Sequence, residues 1–214
     1  MTTTSTPTRW GRRAAVAAAG SALALVPVAA HAATITTIQY DASGTTYIAK
    51  TKSTLELPAT TLTTKLDIDT FNFTGSLPLK PTKASFKVIG FVPVSATVSF
   101  IPVGEVKGNI ALDESIAAVK STATYTVKLT DVKVAGIGAN VGAKCQTAAP
   151  VVINADTRPG EGFDLEKGGT LVGTYTIGKF ANCGFTTDII NALIPGPGNT
   201  TTINVSNGRE VVAP

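Results

Sequence analysis

From residue 34 onward, apolar and polar residues alternate with a period of two, interrupted at short intervals by Gly, Pro, Asn and Asp. Such a period places successive side chains on opposite faces and predicts strands with one buried and one wet side. The clearest case is 94–103, where Val94, Ala96, Val98 and Phe100 alternate with Ser95, Thr97 and Ser99. In 121–134, Ala123, Tyr125, Val127 and Leu129 alternate with Thr122, Thr124, Thr126 and Lys128. Beyond Pro58, the stretch 62–73 sets Leu62, Thr64, Leu66 and Ile68 in one row and Lys65, Asp67 and Asp69 in the other. Further strands are predicted at 83–89, 106–112, 151–155, 170–177 and 200–205. Near the start, 34–40 and 45–50 flank Asp41, Ala42, Ser43 and Gly44, whose turn chemistry predicts a hairpin. Lys167, Gly168 and Gly169 read as the turn leading into the strand at 170.

One helix is predicted. Thr187 is placed as its N-cap and Asp188 in its first turn, Ile189, Ile190, Leu193 and Ile194 form an apolar stripe, and Pro195 to Gly198 end it. Eight to eleven short strands with one short C-terminal helix predict an all-β fold, an antiparallel β-sandwich or an irregular barrel. The 29 Thr after residue 32 agree with this, because β-branched side chains suit a pleated, half-buried surface.

The first 32 residues do not share that pattern. Arg12 and Arg13 precede an apolar stretch over 14–30, and Ala30, His31 and Ala32 give the small-x-small signature of a signal-peptidase site. Cleavage between Ala32 and Ala33 is expected, by the general secretory or the twin-arginine route, leaving a single secreted domain over 33–214. No apolar run beyond this segment is long enough to span a bilayer as a helix. Removing it takes away Met1, Trp10 and His31, and leaves 15 basic residues against 14 acids. The whole-chain pI of about 9.1 is then partly a property of the leader, and a nucleic-acid footprint is not expected.

Cys145 and Cys183 are the only cysteines. In an oxidising compartment they are expected to form one structural disulfide. Beyond the leader there is no His, so the ordinary general base and the commonest zinc ligand are both missing. Neither a Gly-x-Ser-x-Gly elbow nor a phosphate-binding Gly loop is present. Enzymatic activity, a cofactor and a metal ligand set are therefore not expected.

Carboxylates remain. Asp67 and Asp69, two apart on one strand, would point to the same face and could serve a hydrolase. Asp156, Glu161, Asp164 and Glu166 gather on a Gly-containing loop with the oxygen chemistry of a cation site, although Arg158 and Lys167 could neutralise them instead. Residues 90–94 and 137–141 are apolar enough to line a groove for an acyl chain. Asn72, Asn199 and Asn204 each open an Asn-x-Ser/Thr sequence.

Taken together, Cys145, the strand Gly173 to Ile177, Cys183 with Gly184, and Leu193 to Thr200 make the chain resemble a group of uncharacterised secreted proteins from actinobacteria. The resemblance implies secretion and the disulfide, and no activity or binding residues. The functional expectation is a secreted, non-enzymatic protein that binds a partner at or near the cell envelope. The alternative is a soluble carrier of a lipid or other apolar ligand, and a third reading is a carboxylate-dependent hydrolase.

Overall fold

The computed structural model describes residues 1–2, 33–88, 90–113 and 116–211. The chain divides into two units, Met1–Ala32 and Ala33–Pro214. Residues 3–32 of the segment read as an export signal, including Ala32 of its cleavage site, lie outside the described residues. Among the described residues, no helix is long and apolar enough to cross a membrane.

The second unit is all-β and antiparallel. Its strands are β1 (Ile35–Ile48), β2 (Ser53–Asp67), β3 (Asn72–Ser76), β4 (Thr82–Val88), β5 (Val92–Pro102), β6 (Val106–Asp113) and β7 (Ile116–Val134). After them come β8 (Ile137–Gly138), β9 (Gln146–Thr147), β10 (Val151–Thr157), β11 (Gly168–Ile177) and β12 (Phe180–Ala181). A 3-10 turn (Gly184–Thr186) leads into α1 (Thr187–Leu193), and β13 (Gly196–Glu210) ends the domain.

The sheet closes on itself. It runs β10-β11-β13-β1-β2-β3-β6-β7, and β10 then pairs with β7 again. Thr122, Ser121 and Lys120 of β7 face Lys107, Gly108 and Asn109 of β6, and also Asn154, Ala155 and Asp156 of β10. A strand has two edges, so β6 and β10 lie on opposite sides of β7 and the ring is an eight-stranded barrel, with no free edge inside it. Beyond Tyr125, β7 leaves the ring and pairs with β5, which pairs with β4. These three strands form a flap with β4 at its outer edge.

Several features depart from the sequence reading. β1 is one continuous strand through 41–44, and its hairpin with β2 turns at 49–52 instead. Gly44 is needed because a side chain there would run into the Thr202 carbonyl of β13. Pro58, taken as a boundary, lies inside β2 at a bulge: Ala42 pairs with Thr60 and Gly44 with Leu57. A bulge tolerates Pro and shifts the side-chain phase, so Leu55 and Leu57 before it and Leu62, Thr64 and Leu66 after it are all buried. A second bulge, at Asp131 in β7, does the same for Leu129 and Val132. The helix forms where expected, but its N-cap is Thr186, and the Thr187 hydroxyl donates to the Gly184 carbonyl. Ile190 is its buried residue, while Ile189 is exposed.

Candidate functional site

The sequence-level candidates do not converge. Asp67 ends β2, and Asp69 falls in the turn after it. Asp67 Oδ1 accepts the amides of Asp69 and Thr70 at 2.9 and 3.2 Å, and Asp69 Oδ2 accepts the Thr34 amide at 3.1 Å. The Thr70 hydroxyl together with these amides holds the Asp67 carboxyl below its usual range. The pair is turn chemistry.

The acidic loop is similarly committed to its own backbone. Asp156 is on β10 and accepts the Ser121 amide at 3.3 Å, while Glu161 pairs with Arg158 at 3.0 Å. Asp164 Oδ1 accepts the amides of Glu166 and Lys167, both at 2.8 Å, and these amides lower its pKa. Glu166 contributes its carbonyl, which accepts the Gly208 amide at 2.7 Å. Among the described residues, no three His, Cys, Asp or Glu side chains come together to hold a metal ion. Phe163 and Leu165 were not singled out from the sequence, although their spacing of two within the loop was visible. The loop lies at the barrel, with the Phe163 amide bonded to the Ala117 carbonyl at 2.8 Å and its ring edge-on to Tyr40 at 6.0 Å. Burial first, and then the charge of Asp164, pushes the Tyr40 phenol up to about 12.

Cys145 and Cys183 form the disulfide, with both residues fully buried. It fastens the segment carrying β12, the 3-10 turn and α1 to the strand pair β7–β9, where the Leu129 amide donates to the Cys145 carbonyl at 2.9 Å.

Inside the barrel is a cavity of about 80 Å³, reached by side chains of all eight ring strands and almost wholly apolar. Several of its hydroxyls are used internally. Thr46 donates to the Thr200 carbonyl at 3.0 Å and takes the Tyr175 hydroxyl at 2.5 Å, Tyr125 donates to the Leu77 carbonyl at 2.8 Å, and Thr64 to the Ile38 carbonyl at 3.2 Å. A second cavity of about 50 Å³ adjoins it, with Phe100, Ile153 and Tyr175 lining both. A benzene-sized guest needs roughly 150 Å³, so neither space holds an acyl chain in this conformation. Among the described residues, 90–94 and 137–141 line no enclosed groove: Val94 and Val141 are in the core, Phe91 and Ile137 project from two strand turns, and Pro93 and Val94 border only a shallow open recess.

The flap is chemically different from the barrel. Residues 80–102, 126–150 and 178–195, which hold the flap and its neighbours, carry seven lysines and two acids, Asp131 and Asp188. The rest of residues 33–214 carries eight basic residues and twelve acids. Cross-strand register puts the flap lysines on one face: Lys83 faces Thr97, Lys87 faces Pro93, Ser95 faces Lys133 and Ser99 faces Lys128. The ion pairs among the described residues are Arg158–Glu161 and Arg209–Asp41, and neither involves these lysines. This face was missed in the sequence because its lysines are scattered over 83–133 and only strand pairing gathers them.

The Asn-x-Ser/Thr sequences separate too. Asn72 and Asn204 are exposed, whereas Asn199 is 1% exposed with its amide fully engaged. No protein-family model matches this chain, and no curated protein or solved structure is significantly similar to it.

Proposed function

We propose that this is a secreted, non-enzymatic binding protein of the cell envelope, with the barrel as scaffold and the lysine face of the flap as binding surface. The observation that carries the reading is the segregation of charge, since the flap and its neighbours hold seven cations and two acids while the remainder of the domain is net acidic. A one-signed surface beside an opposite one orients the protein toward a polyanion, and bacterial envelopes present phosphates and carboxylates. The test is co-sedimentation with washed envelope particles. The chain should pellet at low salt, release as ionic strength rises toward about 1 M, where screening is nearly complete, and lose affinity in a Lys87→Glu/Lys133→Glu variant. Binding that ignores both salt and these lysines would end the proposal.

A second reading, a carrier of a small apolar ligand, is favoured by the two adjoining apolar cavities and their shared wall of Phe100, Ile153 and Tyr175. A bound guest requires that wall to rearrange. Native mass spectrometry of protein from its own culture medium should then show a mass excess that disappears on denaturation, and a bare polypeptide mass would remove the reading.

A further inference from the structure

We propose that the end of the flap docks on an anionic lipid bilayer, with Phe91 and Ile137 entering the interface and Lys87 and Lys133 held at headgroup level. The inference rests on the reading that the flap is the binding surface, and it names the partner. Phe91 lies in the turn between β4 and β5 and is 73% exposed; Ile137 begins β8 and is 75% exposed. The two turns are neighbours, because Val94 pairs with Val134, Val134 with Ile137, and the Ala135 amide donates to the Pro93 carbonyl at 2.8 Å. A third exposed apolar side chain, Phe185, follows Gly184, where an added Cβ would lie 3.6 Å from the carbonyl of Asn140, three residues beyond Ile137.

The cations sit just behind these tips. Lys87 is one pair back from the closing Val88–Val92 pair, and Lys133 one position before Val134. Ser85, Lys87 and Ser95 border a shallow, mostly apolar recess of about 270 Å³ on this side, shared with Phe86, Pro93, Val94 and Gly136, so that hydroxyls and an ammonium lie beside apolar surface. Asp131 is the carboxylate of this face, and its Oδ2 already accepts the Thr97 hydroxyl at 3.1 Å.

Membranes meet both requirements at once. Apolar side chains bury about 5–10 Å into the interface, and a lysine a few residues back along a strand then reaches the anionic headgroups. A wall polymer would satisfy the lysines but has no use for the projecting Phe91 and Ile137. Lysines also guard edge strands against pairing with other chains. That role covers Lys83 and Lys87 on β4, and leaves unexplained Lys133 on the central strand β7 and the two apolar tips.

The experiment measures the intact chain on vesicles of equal parts phosphatidylglycerol and phosphatidylcholine, with phosphatidylcholine vesicles as comparison, and follows hydrogen exchange along the chain. Residues 1–32 are common to every variant, so differences between variants report the flap. Expected are binding to the anionic vesicles, exchange protection at 90–93 and 134–138, and at least a tenfold lower partition coefficient for Phe91→Ser/Ile137→Ser. Lys87→Ala/Lys133→Ala should lower partitioning about twenty-five-fold, from about fivefold per lysine near an anionic surface. All four positions are exposed, so an unchanged melting temperature will show that each variant is folded. Partitioning unchanged in both variants, or protection that spares the two turns, overturns the proposal. If envelope particles bind through Lys87 and Lys133 while anionic vesicles do not, the bilayer is wrong and the binding function stands; if neither binds, both are wrong.

Discussion

Replacing Asn199 with Ala should be among the most damaging single changes in the domain. The Asn199 Oδ1 accepts the Ala49 amide at 3.1 Å, and its Nδ2 donates to the Tyr175 carbonyl at 3.2 Å and the Gly196 carbonyl at 2.8 Å. One side chain thus ties the β1–β2 turn to β11 and to the start of β13. The Tyr175 contact is fully buried, and the other two are partly buried, where water can take over. At about 1 kcal/mol per hydrogen bond, with a further cost of about 1 kcal/mol for the orphaned Tyr175 carbonyl, the loss is roughly 3–4 kcal/mol. Total stability of such a domain is about 5–15 kcal/mol. Urea unfolding followed by circular dichroism should show the midpoint fall by about 1.5–2 M at an m-value near 2 kcal/mol/M. Asn204→Ala, exposed on the same strand, should change stability by less than about 0.5 kcal/mol.

Asn199→Asp sharpens the test. It keeps the acceptor for Ala49 but turns carboxylate oxygens toward two carbonyls, so the charged form is disfavoured and the folded pKa lies above the unfolded value of about 3.9. A raised folded pKa means stability that is complete below about pH 4 and is lost as pH rises through the folded value. The variant should therefore approach the parent at acidic pH and fall behind at neutrality. A loss under about 1 kcal/mol for Asn199→Ala, or a pH-independent deficit for Asn199→Asp, would refute the reasoning.

Three further outcomes are expected. A Cys145→Ala/Cys183→Ala variant, which opens a loop with sequence separation 38, should lose about 4 kcal/mol in urea unfolding; a loss below about 1 kcal/mol would show that the unfolded chain is not restrained by the bridge. The Asp41 carboxyl, drawn down to about 2 from 3.8 chiefly by its hydrogen bond to Arg209 and then to Asn207, should titrate at a higher pH by NMR in Arg209→Ala, while the Asn207 hydrogen bond still holds it below 3.8. Its folded pKa is depressed, so its contribution is present above about pH 4 and is lost as pH falls toward 2; an unmoved midpoint would remove Arg209 as the cause. Millimolar calcium should leave the melting temperature unchanged, since Asp156, Glu161 and Asp164 already hold protein partners. A rise of several degrees would restore the cation site.

The sequence by itself determined the all-β character and most of the buried rows. Val94, Ala96, Val98 and Phe100 are all in the core, as are Tyr125, Val127 and Leu129, because inward and outward sites alternate along a strand whatever it pairs with. The disulfide was also legible, since the chain holds two cysteines and no third. Continuity of β1 through Gly44 was not, because it depends on how closely β13 passes, and the two strands meet across more than 150 residues of chain. Closure of the barrel needs β7 to carry β6 on one edge and β10 on the other, a fact of long-range pairing that no local pattern contains. Asn199 read as a surface acceptor site and became a buried tie once β11 and the β1–β2 turn closed around it. The flap lysines likewise became one surface through register alone. Local alternation fixes which side of a strand is apolar, whereas neighbours and cavities follow from which edges pair, and that is decided by the packing of the whole domain.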